Sequence, residues 1–177
     1  MTRFNDRIFR AAKLDVSLYE EVEADKEALR QAMSVVVLSS IAAGLGSVER
    51  AGLSGILIGT ITALIGWYIW AYLTYLIGAK LLPEARTKAD PGELLRTLGF
   101  SSSPGLVRIL GIIPGLTWVV FLIASIWMLA AMVVAVRQAL DYQSTFRAVV
   151  VCIIGWIIQG LFLALLFSLF GGFGKPV

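Results

Sequence analysis

The sequence predicts an all-α integral membrane protein: a bundle of five transmembrane helices, the third short and proline-bounded, preceded by an amphipathic cytosolic helix. Three observations predict it. Residues 117–136 and 148–170 are apolar and carry no charge, and uncharged apolar runs of about 18 residues or more read as membrane spans. Only 15% of the chain is charged and 58% is hydrophobic, whereas soluble domains are about 25% charged. Lys and Arg also divide unevenly: with five spans and a cytoplasmic N-terminus, twelve fall inside and two outside, as the positive-inside rule requires. The expected organisation is an arm at 1–30, a transmembrane body at 31–171 and a short tail at 172–177.

In the arm, Phe4, Ile8, Ala12, Val16, Tyr19 and Val22 recur at helical spacing. Arg3, Arg7, Arg10 and Lys13 crowd its first half; Glu20, Glu21, Glu23, Asp25 and Glu27 crowd its second. The basic half suits an anionic membrane surface. The acidic half is repelled from that surface and is expected in the cytosol or against a basic partner. A solvated charged face is the plain alternative.

The first span is read at 30–47, followed by a connector at 48–52 with Glu49 and Arg50. The second runs from 53 to 79, where Lys80 snorkels and Pro83 stops the helix. Asp90-Pro91-Gly92-Glu93 is an N-cap acid, a first-turn proline and a third-position glutamate. A short helix follows, with Gly99 suited to its C-terminal cap. Its leucines, Leu94, Leu95 and Leu98, mark it as a surface helix against the bilayer.

Ser103-Pro104 starts the third span and Pro114-Gly115 ends it. Residues 101–116 would cover roughly 24 Å as an α-helix, short of a hydrocarbon core about 30 Å thick. A loop that dips in and returns is the alternative; it changes the Lys/Arg division to eleven and three, so charge favours five crossings narrowly. A turn then leads into the fourth span, 117–136, and the fifth follows at 148–170.

Much chemistry is excluded. The chain has no histidine, so Ser–His and Cys–His pairs, HExxH zinc sites and histidine-ligated haem cannot form within it. The spans hold no Asp or Glu, which intramembrane aspartyl proteases and most ion-coupled transporters need. There is no phosphate-binding glycine loop. Cys152, the one cysteine, has no partner for an internal disulfide. The net charge of +3 carries no nucleic-acid signature. No catalytic residue, metal site or cofactor is expected. No signal peptide is expected ahead of the first span, and Thr2 excludes N-myristoylation.

What remains is a set of packing and binding candidates. Arg108 is a charge within an apolar run, expected at the cytoplasmic interface, anchored to phosphates or paired on a binding surface. Gly55, Gly59 and Ala63 repeat every four residues, a spacing that brings helices close. Trp67, Tyr68, Trp70, Tyr72 and Tyr75 concentrate aromatic rings in the second span, for packing or as a face for a lipid, quinone or pigment. Arg137 and Asp141 are spaced to pair at i,i+4. Gln159, between Gly155 and Gly160, is placed to hydrogen-bond a neighbouring helix.

Several segments together carry a family likeness: LDVSLYEEVEADKEALRQA, GWYIWAYLTYLIGAKL, ELLRTLGFSSSPGLVRILGIIPGL and SIWMLAAMVVAVRQALDY, with Gly155-Trp156 downstream. From about Ala11 to Leu169 the chain resembles the Yip (Ypt-interacting protein) domain family in its short prokaryotic form. The resemblance implies five membrane helices with the N-terminus cytosolic. Eukaryotic members act in vesicle trafficking and bind Rab-type GTPases. This sequence lacks their long N-terminal region and Asp-Leu-Tyr-Gly-Pro motif, so GTPase binding is not carried over. Some prokaryotic members accompany ABC-type exporters.

The functional expectation is a non-enzymatic accessory or scaffold protein of the cytoplasmic membrane, associating with other membrane subunits or lipids through the arm and the 80–100 segment. The alternatives are a lipid-, quinone- or pigment-binding subunit, and a transporter, channel or ABC-exporter partner.

Overall fold

The structure is a computed structural model and describes residues 4–170; the side chains of residues 48–51, 53 and 162–170, and the tail at 172–177, lie outside the described residues. All its regular elements are helical.

The arm is two helices rather than one. Helix α1 is Phe4–Ala12 and α2 is Val16–Ala24. Leu14 takes a left-handed conformation (φ 61°) between them, and Asp15 caps α2 by accepting from the Ser17 amide. Periodicity runs straight through this break, which is why the sequence reads as one helix. The chain reverses and the two charge blocks meet. The Arg7 guanidinium lies 2.8 Å from both Glu21 and Asp25 and donates to Gln31. Arg10 reaches Asp15 at 2.8 Å and Glu21 at 2.7 Å. The basic partner of Glu21 and Asp25 is therefore the other half of the arm. Such forked charge-assisted bonds are the strong kind. Arg10, helped by Ser17, holds the Asp15 carboxyl down at about 2.

Helix α3 is Ala28–Gly46 and α4 is Val48–Tyr75. The expected connector at 48–52 is helical backbone, broken by Gly52 (φ 62°, ψ −176°), a conformation essentially confined to glycine. A π-helical turn, Leu76–Leu81, extends α4. Tyr142 donates into this wide turn, shared between the carbonyls of Leu82 (2.7 Å) and Gly78 (2.9 Å). Helix α5 is Pro91–Phe100, and its capping box is present: Asp90 accepts from Gly92 and Glu93, and Glu93 accepts from Asp90. A 3₁₀ segment, Ser103–Ile112, leads to a turn with Gly115 at φ 83°. Helices α6, Thr117–Ala139, and α7, Thr145–Phe170, complete the bundle. Among the described residues Ala28–Gly46, Ser54–Leu81 and Thr117–Ala139 are long and apolar enough to cross a membrane.

Two expectations for 91–116 are corrected. Helix α5 is not a surface helix: Leu94, Arg96, Thr97, Leu98, Gly99 and Phe100 are buried. Gly99 is not its cap, which falls at Ser101. It sits instead against α3, where an added Cβ would stand 2.6 Å from that of Ala32. The stretch read as a short α-helical span is a 3₁₀ segment that continues α5. Together they run alongside α3 in the same direction. Gly99 lies at Ala32, Gly105 at Ser39, and Gly111 at Gly46. Three glycines on one line let two backbones approach as no side chain would permit.

Other contacts give the remaining directions. Ser40 pairs with Thr60 and Gly44 abuts Ile56, so α4 runs opposite to α3. Gly105 touches Met128 and Gly111 touches Phe121, so α6 does too. Arg147 reaches the Pro83 carbonyl and Gly155 meets Trp70, so α7 opposes α4. The buried core gathers at the arm end, from Ala11, Leu18, Tyr19 and Val22 to Leu94, Phe100, Val136, Leu140 and Val151.

Candidate functional site

Toward the other end the helices part around a cavity of about 750 Å³. Such a volume suits a small-molecule site, for which roughly 300–1,000 Å³ is usual. Helices α3, α4, α6 and α7 and the 3₁₀ segment all contribute walls.

The α4 wall is built from the smallest residues. Gly55, Gly59, Ala63 and Gly66 line it. A Cβ at Gly59 or Gly66 would meet nothing within 4 Å. The spacing that predicts close helix packing here leaves space. The stripe runs on to Gly66, further than a helix-pair motif needs, and that extension is the sequence signal for a hollow. Gly155 does pack: a Cβ there would lie 2.8 Å from the Trp70 ring. Beyond that contact α4 and α7 open, and Gly160 faces free space. Gln159 lines the cavity and hydrogen-bonds none of the described residues, contrary to the expected interhelical bond.

The aromatic residues of α4 divide. Trp67 and Trp70 line the deep end of the cavity. Trp67 donates to the Leu95 carbonyl at 3.1 Å, whereas Trp70 Nε1 is buried without a partner among the described residues. Tyr68 and Tyr72 point outward, 62% and 51% exposed, so the five rings form no single ligand face. Tyr75 stacks beside Tyr72 and under Lys80.

Arg108 lies in the cavity wall, not at the arm-side interface where a helix starting at Ser103 would have put it. Because α5 supplies the first half of this run, Arg108 is carried to the far end of α3, its carbonyl against Gly46. Its guanidinium sits over the Phe121 ring at 5.5 Å and donates to Ser125 Oγ at 3.3 Å. Among the described residues its buried Nε has no partner and no Asp or Glu pairs with it. Phe121, Ser125, Met128 and Trp156 also line the cavity; the last three stand in sequence only within segments of the family likeness, and nothing in their spacing points to a site.

The arm end carries a second hollow, lined by Glu20, Glu23, Glu93, Arg137 and Asp141 among others. The expected Arg137–Asp141 pair is absent. Helix α6 ends at Ala139 and Asp141 is left-handed (φ 53°), so i,i+4 geometry is lost. Arg137 instead donates to the carbonyls of Tyr142 and Gln143, and Asp141 accepts from the Lys88 amide. Burial, then the charges of Glu93 and Asp141, push the Glu23 carboxyl up to about 8. Arg96 fastens α2 to this end: its Nε donates to the carbonyls of Val22 and Glu23 at 3.0 Å, and a second nitrogen also reaches Glu23. Trp127 donates to the Ala12 carbonyl at 2.7 Å and Gln138 to Glu20 at 3.2 Å.

Among known families, the Yip1 domain matches residues 18–167, most of the chain. No curated protein and no solved structure matches at a significant level.

Proposed function

The chain belongs to the Yip1 domain family, and on that premise we propose that it crosses the cytoplasmic membrane five times and works by association, as an accessory or scaffold subunit. Membership and the long apolar helices make it a multi-pass membrane protein of a family not known for catalysis. The alternating directions of α3, α4, α5 with its 3₁₀ continuation, α6 and α7 support five crossings. The arm, the 82–90 loop and the α6–α7 turn then share the cytoplasmic side, and the chain leaves on the other. A C-terminal reporter should be accessible from outside only; a cytoplasmic C-terminus overturns this topology.

The observation that carries the association reading is the arm's attachment. Arg7 donates to Gln31 of α3, Arg96 to the Val22 carbonyl of α2 and Trp127 to the Ala12 carbonyl of α1, which binds the arm into the fold. That makes one end of the bundle a rigid, charge-patterned surface of the preorganised kind that loses little entropy on binding. Isolation from the native membrane in mild detergent should recover a stoichiometric partner. Arg96→Ala should release that partner while leaving the protein in the membrane. A monodisperse monomer without a partner refutes the reading.

A further inference from the structure

We propose that the cavity holds one acidic membrane phospholipid, its phosphate at Arg108 and an acyl chain along the glycine wall of α4.

The inference rests on polarity, shape and position. Arg108 is a half-buried charge among serines, glycines and apolar side chains, with one long hydrogen bond to Ser125 and, among the described residues, neither a partner for its buried Nε nor a carboxylate in reach. A charge in such surroundings is costly unless an opposite charge joins it. Nearby hydroxyls do not supply one; Ser40 and Ser101 bond to carbonyls of their own helices. A phosphate brings both the negative charge and several acceptor oxygens.

The shape suits an amphiphile rather than a free anion. Arg108 marks one end, level with the last residue of α3. From Gly55 to Trp70 the α4 wall extends about 22 Å, longer than half of a hydrocarbon core about 30 Å thick. The deep end, at Trp67, Trp70 and Leu98, carries no charge. Gly59 and Gly160 are exposed where α4 and α7 diverge, a side opening at membrane depth. A head group would lie at the end of the bundle away from the arm, with its chain reaching inward. A quinone would satisfy the Trp70 indole but leave Arg108 unpaired. An unpartnered charge outweighs a neutral donor, which decides for a phosphate-bearing lipid; no described carboxylate lines the cavity to pair with a choline cation, which decides for an acidic one. This inference does not depend on the association reading.

Native mass spectrometry of the full chain, in detergent with equal amounts of phosphatidylglycerol and phosphatidylcholine, tests it. One phosphatidylglycerol should be retained per chain, about tenfold over phosphatidylcholine. Arg108→Gln should lower that retention about tenfold, with Arg108→Lys keeping part of it. Gly59→Leu enters open space and fills the cavity, so it should lose the lipid yet remain folded. If Arg108→Gln fails to fold, thermal unfolding decides: phosphatidylglycerol should raise Tm for the wild type and not for Gly59→Leu. Equal retention of the two lipids, unchanged retention in Arg108→Gln, equal stabilisation of Gly59→Leu, preference for an added neutral quinone, or inorganic phosphate matching the lipid would each overturn the proposal.

Discussion

The two ends of the bundle treat polar groups in opposite ways. At the arm end, buried guanidinium groups meet carboxylates or helix-end carbonyls: Arg7 has Glu21 and Asp25, and Arg96 has the last turn of α2. At the cavity end, Arg108 has one long bond to a serine. Glycines follow the same division. Gly99 and Gly78 sit where an added carbon would collide with Ala32 and Leu140, whereas Gly59 and Gly66 border nothing. One end is closed by its own residues and the other is open. Satisfied polar networks and tight packing rigidify, so the closed end is suited to hold a surface in shape. The open end is suited to admit something.

The largest expected effect tests the closed end. Arg96→Ala strands the carbonyls that cap α2 inside the fold and should lower stability by about 3 kcal/mol. Limited proteolysis in detergent should then cut the arm readily near residues 13–15 and 25–27. An uncut arm would break the comparison. Next come two identical substitutions with opposite expected signs. Gly99→Ala forces α5 off α3 and should cost about 2 kcal/mol. Gly59→Ala gains helix propensity in free space and should be neutral or stabilise by up to about 1 kcal/mol. Thermal unfolding of the two variants side by side sharpens the distinction; equal losses would erase it. Tyr142→Phe removes the hydroxyl that closes the π-helical turn and should cost about 1 kcal/mol, read by the same melts.

The smallest effect is electrostatic. The Glu23 carboxyl titrates near 8 in the fold and near 4.5 when free. Protonated Glu23 therefore favours the folded arm. Its contribution is full below about pH 4.5 and lost as pH rises through about 8. The arm should be cleaved faster at about pH 9 than at about pH 6, and Glu23→Gln should flatten that dependence. An arm that tightens as pH rises would contradict the buried position of this residue.

Much of the fold was legible in the chain. The apolar runs, the Asp90–Glu93 box and the Pro114-Gly115 turn depend on composition or on neighbours within a few residues, and these local signals agree with the structure. The site was legible only in fragments. Gly55, Gly59 and Ala63 were visible as a stripe of small residues, but a stripe does not say whether a neighbour fills it. Arg108 was visible as a charge in an apolar run, but its depth depended on α5 taking the first half of that run. The arm reads as one helix in sequence because hydrophobic period does not register a single left-handed residue at Leu14.

By itself, then, the sequence determined that this is a helical membrane protein, where its apolar segments lie, and that a histidine-based site is impossible, because each follows from side-chain chemistry and local spacing. Only the tertiary structure decided that Arg7 and Arg10 pair with Glu21 and Asp25 of their own arm, that α5 is interior, that the glycines of α4 border a cavity and that Arg108 faces it without a counter-charge among the described residues. Those outcomes depend on which helix lies against which, and helix packing is settled by contacts between residues far apart in the chain.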